Sequence, residues 1–174
     1  MKRLTLAAAA LLVSLGANAQ GLKLLDRAGE SRTSFTYTYS LSKDGGGFNE
    51  VTCGKVTVED NAYFMEGLGL EVTSDGETRL SIDREAREAV LEKVEKEDMF
   101  TNPALFISSW RNYRDRLHLN GSTADSLDVT LTLDDDTRAR FVLKDIVFSE
   151  KQGKEDFSTD VSSLGEDFLV TDLR

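Results

Sequence analysis

From Ser34 to Ser42 the chain alternates without a break. Phe35, Tyr37, Tyr39 and Leu41 carry apolar bulk, while Ser34, Thr36, Thr38, Ser40 and Ser42 carry hydroxyls. Successive side chains of a strand point to opposite faces, so this period of two predicts a strand with one aromatic and one hydroxyl face. Gly45-Gly46-Gly47 ends it, and the same period returns along most of the sequence. Glu50 to Glu59 places Thr52, Gly54, Val56 and Val58 on one face, Asp60-Asn61 turns the chain, and Ala62 to Glu66 is a short third strand. Leu70 and Val72 lead into Asp75-Gly76, a strong hairpin dipeptide, and Thr78, Leu80 and Ile82 return from it. After a turn at Arg84-Glu85, Ala86 to Val94 reads as another strand, though its charges also permit a helix. Leu127, Val129, Leu131 and Leu133 alternate with Asp128, Thr130 and Thr132 before the acidic turn Asp134-Asp135-Asp136. Ala139, Phe141 and Leu143 form the next run, Ile146 to Phe148 a short one beyond Lys144-Asp145, and Phe168 to Leu173 is placed to close the sheet.

Two segments follow a helical period instead. Leu22, Leu25 and Ala28 suggest a short opening helix over Leu22 to Ser31. The only proline, Pro103, follows Asn102 as a first helical residue follows its cap, and Phe106, Trp110, Tyr113 and Leu117 then form one aromatic stripe. The expected architecture is a long antiparallel meander, apolar on one face, with a helical insertion from Asn102 to about Arg116. Such a sheet covers its apolar face by closing into a packed barrel, by stacking a second layer, or with helices.

The first nineteen residues have the form of a secretory signal peptide: Lys2 and Arg3, an apolar run from Leu4 to Val13, then Ala17-Asn18-Ala19 as a small-x-small cleavage site. The run is shorter than the roughly 20 residues of a spanning helix. A single domain from Gln20 to Arg174 is expected, exported to the periplasm without a spanning segment. Its formal charge is −10 for the whole chain, made more negative by the loss of Lys2 and Arg3, which argues against nucleic acid as a partner. One cysteine, Cys53, excludes an internal disulfide and multi-cysteine metal sites, and is expected as a buried strand thiol. One histidine, His118, sits between two leucines and lacks the partners of a catalytic base. Asp134-Asp135-Asp136 has no distal glutamate and reads as a solvated turn; Gly45 to Gly47 precedes no helix and cradles no phosphate. Neither a catalytic residue, a metal nor a cofactor is expected.

An ordered set of motifs resembles the LolA family of periplasmic lipoprotein carriers. The run Val72-Thr73-Ser74-Asp75-Gly76-Glu77-Thr78-Arg79-Leu80-Ser81-Ile82-Asp83, followed by Ala89-Val90-Leu91, resembles its Ser-Asp-Gly hairpin. Gly54-Lys55-Val56 resembles its second strand, Asn102-Pro103-Ala104-Leu105 the start of its lid helix, and Phe157-Ser158-Thr159-Asp160 with Val170-Thr171-Asp172-Leu173-Arg174 its end. The resemblance implies a mainly β fold, an incomplete antiparallel barrel whose helical lid covers an apolar cavity, and no catalysed reaction. It implies a carrier that moves acylated lipoproteins or lipids from the inner towards the outer membrane, meeting a transporter at one and a receptor at the other, as a monomer. The arginine that helps latch the family's lid has no counterpart: its place falls near Phe64, and no arginine occurs between Arg32 and Arg79.

The candidate cavity lining is Phe35, Tyr37, Tyr39, Val56, Val58, Phe64, Leu70, Val72, Leu80, Ile82, Phe106, Trp110 and Tyr113. The short strands leave open which parity faces inward. A lipid-binding sensor or protein-interaction module on the same fold, and a secreted hydrolase using His118, are the competing readings.

Overall fold

The computed structural model describes residues 19–95 and 100–174. The expected leader lies outside these residues apart from Ala19. Helix α1 covers residues 19–30 and is followed by β1 (Arg32–Lys43), β2 (Asn49–Glu59), β3 (Ala62–Gly67), β4 (Leu70–Ser74), β5 (Thr78–Asp83) and β6 (Glu88–Lys93). Helix α2 (Pro103–Ser109) and a 3-10 segment (Trp110–Arg116) precede β7 (Leu117–Ser122), β8 (Leu127–Thr132), β9 (Thr137–Ser149) and β10 (Leu169–Asp172). The strands form one sheet in the order β10-β6-β5-β4-β3-β2-β1-β9-β8-β7. All neighbours are antiparallel except β10, which lies parallel to β6, and the edge strands β10 and β7 do not meet. The fold is therefore mainly β, an incomplete barrel with a short helical lid.

Several sequence expectations change in detail. The helix expected from Asn102 to Arg116 ends after seven residues, because Ser108 and Ser109 both donate their hydroxyls to the Leu105 carbonyl and draw the chain into a tighter turn. Tyr113 then leaves helical geometry at φ −124°, and Leu117 belongs to β7, so the four-membered aromatic stripe is broken. Lys144-Asp145 does not turn the chain. Asp145, at φ 55°, is a bulge within the continuous strand β9, where the pairing with β1 shifts between Ser34 and Thr36. Cys53 is exposed rather than buried, since it shares the outer face of β2 with Lys55.

The largest change concerns the faces. Residues directly opposite across a ladder share a face. Phe35 opposes Val56, Val56 opposes Met65, and Met65 opposes Val72, so these line the concave side. Val72 in turn opposes Ser81, and Ser74 opposes Arg79. Leu80 and Ile82 therefore point to the convex side, where they join Ala89 and Leu91 beneath Val161, Leu164 and Phe168. The apolar surface changes sides between β4 and β5, and the segment after β9 crosses over as a strap to cover it.

Glu59 fastens that strap. Its buried carboxylate accepts hydrogen bonds from the backbone N–H groups of Gln152 (3.0 Å) and Gly153 (2.8 Å), with Arg32 at 3.7 Å. Arg32 also pairs with Asp156 and lies over the ring of buried Phe157. Glu59→Gln turns an amide N–H₂ toward a backbone donor, and an unmet buried donor costs about 1–3 kcal/mol. The expected result is that loss in urea melts together with faster hydrogen exchange at Gln152 and Gly153; unchanged exchange would show the strap to be held elsewhere.

Candidate functional site beneath the lid helix

Asn102 starts the lid. Its side chain accepts from Ala104 N (2.9 Å) and Leu105 N (3.3 Å), while Pro103 supplies a first-turn φ without needing a partner for a backbone N–H. This fixes where α2 begins and turns Ala104, Phe106, Ile107 and Trp110 onto the concave face, against Phe35, Tyr37, Tyr39, Val56 and Val58. Phe106 is fully buried and stacks on Phe141 at 5.0 Å between centroids and 16° between planes. Tyr39 meets the same ring at 5.2 Å. Helix α1 closes one side of this layer with Leu25 and Ala28.

The chamber expected beneath the lid is thus occupied by the lid's own aromatic side chains. Beside α2 it opens into a cleft of about 730 Å³ lined by Gly29, Asp60, Asn61, Gly76, Val94, Glu95, Leu105, Ser108, Ser109, Arg111, Asn112 and Tyr113. Leu105 belongs to both cleft and core, which makes the cleft a seam along the lid. Between the lid and α1, Arg111 pairs with Asp26 at 2.5 Å, an exposed contact of little stabilising weight. Two buried polar atoms under the lid, Tyr39 Oη and Trp110 Nε1, have no partner. Burial pushes the Tyr39 phenol above its ordinary range and does the same for Tyr37, so both rings present neutral hydroxyls.

The candidate residues divide by position. Phe35, Tyr37, Tyr39, Val56, Val58, Val72, Phe106 and Trp110 are brought together under the lid, and half-buried Tyr113 borders the cleft against Phe100. Phe64 lies on the convex face in a separate groove with Lys55, Thr57, Glu66 and Asp145, because its neighbour Tyr63 takes the inward place. Leu80 and Ile82 are under the strap, and Leu70 is exposed at the hairpin end of β4. Sequence reasoning missed Tyr63, Phe141 and the β8 row Leu127, Val129 and Leu131, all buried in the same core. Their alternation was visible; which strand runs beside β1 was not.

Elsewhere the chemistry is plain. His118 is exposed on edge strand β7, and no group of three or more His, Cys, Asp or Glu among the described residues is placed to hold a metal ion. Asp134 accepts from the N–H groups of Asp136 and Thr137 as an ordinary turn. Among the described residues no helix is long and apolar enough to cross a membrane.

No family model and no curated protein sequence matches this chain. Among solved structures, a protein of Thermus thermophilus described as an uncharacterized conserved protein is similar at 9% identity and a TM-score of 0.45, over 87% of this chain and 98% of that one. A LolA superfamily protein from Nitrosomonas europaea is similar at 9% identity and a TM-score of 0.44, over 80% of this chain and 98% of that one.

Proposed function

We propose that this chain is a periplasmic carrier that takes an acyl chain of a lipid or lipoprotein between the lid and the concave sheet and moves it from the inner towards the outer membrane. The observation that carries the reading is Phe106: an aromatic plug on a short helix, stacked on Phe141, whose ring also meets Tyr39, and bordered by an open seam. A hydrocarbon tail gains roughly 0.8 kcal/mol per methylene on leaving water, so a chain of about 16 carbons gains on the order of 10 kcal/mol. Exposing one phenylalanine costs about 1.5–3 kcal/mol, which an entering tail offsets with margin. The contacts at stake are non-directional, so the same surface can reclose when the tail leaves. The motif order Ser74-Asp75-Gly76, Asn102-Pro103 and Val170-Thr171-Asp172 supports the LolA-like part of the reading, including export, an inner-membrane donor and an outer-membrane acceptor.

The test uses the single tryptophan. Titration with a palmitoylated peptide is expected to shift or quench Trp110 emission at one peptide per chain, while the unacylated peptide does nothing. Mass spectrometry of an organic extract from gently purified protein is expected to find acyl lipid. Emission indifferent to the acylated peptide, with a lipid-free extract, would remove the carrier reading.

A further inference from the structure

The two edges of the sheet are treated differently. Strand β7 is blunted: its register slips between Leu119 and Gly121, and His118 and Asn120 interrupt its exposed row. Strand β10 carries no proline, lysine or register shift, and large apolar side chains are exposed on it and directly after it: Leu169 at 64% and Val170 at 40% in the strand, and Leu173 at 63% just beyond it. At four residues, with Asp172 at its end, β10 is a short edge, but its exposed apolar side chains and open main-chain groups remain available to a partner strand.

The open side of β10 has a definite hydrogen-bonding pattern. Leu169 N–H and Leu173 N–H donate to the carbonyls of Arg87 and Leu91, toward β6. Main-chain groups alternate sides along a strand, so those of Val170 and Asp172 face outward. A second strand running antiparallel must place its own outward groups opposite these. For another copy of β10, setting Val170 opposite Asp172 of that copy satisfies the requirement and brings Leu169 opposite Leu173, with Thr171 facing itself on the twofold axis. Leu169, Thr171 and Leu173 share one face, so the join forms a continuous apolar row with hydroxyls at its centre. Moving the register by two residues one way sets Asp172 against Asp172, a like-charge contact that destabilises the pair. Moving it the other way leaves both leucines of the row without each other.

We propose that β10 is an isologous dimer interface, joining two copies of this chain edge to edge about a twofold axis through Thr171. A twofold contact of this kind closes on itself and buries the exposed edge without extending into a filament. Thr171 lies beside Val90, which opposes Ser81 and through it Val72, so the apolar row continues the concave side of the sheet. The join itself is made at the outer edge of β10, and the interface stands independently of the carrier reading.

The register makes the proposal testable in the full chain with Cys53→Ser as background. Facing residues at a non-hydrogen-bonded pair have Cα atoms about 4.5 Å apart, within disulfide reach. Thr171→Cys is expected to crosslink to a dimer under mild oxidation, whereas Val170→Cys, which faces Asp172, is expected to stay uncrosslinked. Val170→Pro removes an N–H that points outward and spares those donating to β6, so it is expected to shift the sedimenting species from dimer to monomer while far-UV circular dichroism and the melt are retained. Sedimentation as a monomer from micromolar to millimolar concentration, with Thr171→Cys uncrosslinked, would overturn the proposal and leave the edge to a strand of another protein. A dimer that persists in Val170→Pro and crosslinks equally at both cysteine positions would overturn it as well.

Discussion

Phe106→Ala is expected to weaken the fold and strengthen acyl binding at once. Truncating a fully buried phenylalanine costs about 3–5 kcal/mol, part of it lost burial and part the cavity left behind. Here the cavity would be walled by Phe141 and Tyr39 on the sheet and by Trp110 on the lid. That is a large share of the roughly 5–15 kcal/mol by which domains are stable, so the urea midpoint should drop clearly while the chain stays folded. If the ring occupies the place of a hydrocarbon tail, its removal also spares the tail the work of displacing it. A relief of about 1.4 kcal/mol is tenfold in affinity, so the palmitoylated peptide should bind at least about tenfold more tightly in the Trp110 titration. Lower stability with unchanged affinity would make Phe106 a packing residue only and would place the ligand, if any, in the open seam.

The strength of this expectation tracks how the sequence encodes the lid. Asn102-Pro103 marked the helix start to the residue because capping is a local interaction, legible from neighbouring letters. The alternation from Phe35 to Tyr39 likewise fixed the inward face of β1, since a long strand with one aromatic face has only one stable orientation against a core. The end of the helix was not legible in the same way. Ser108 and Ser109 turn back to one carbonyl, and the outcome of that competition depends on the packing of Trp110 below them. Nor could short strands declare their side. Leu80 and Ile82 alternate as cleanly as Val56 and Val58, and only the register with Val72 and the arrival of a strap some eighty residues later decide that they face outward. Cys53 failed for the same reason: an apolar-looking letter in a strand is buried only if its parity points to the core. Local signals were readable; the partner of each face is a long-range fact.

That partition sets the second large effect. Leu80→Asp is expected to strip the strap from the convex face and leave the lid site working. Leu80 is 2% exposed beneath Val161, Leu164 and Phe168, so the substitution forfeits about 1.5–3 kcal/mol of apolar burial. An unpaired carboxylate left there adds about 3–5 kcal/mol. Release of the strap relieves both at lower cost than global unfolding. Hydrogen exchange should therefore quicken at Leu164 and Phe168, whose N–H groups bond within the strap, and at Leu169, which bonds to Arg87. Burial raises the new carboxyl's pKa in the folded state, so the folded chain holds the proton more tightly than the unfolded one does. Stability then falls as pH rises above about 4, the unfolded value, until the folded pKa is passed, and the defect should be mildest in acid. Through all of this the Trp110 response to palmitoylated peptide should match the parent chain, because Phe35, Val56 and Phe141 face the other way. If Leu80 lined the lid chamber, the opposite pair of results would appear: acyl binding lost, and exchange at Leu164 and Phe168 unmoved.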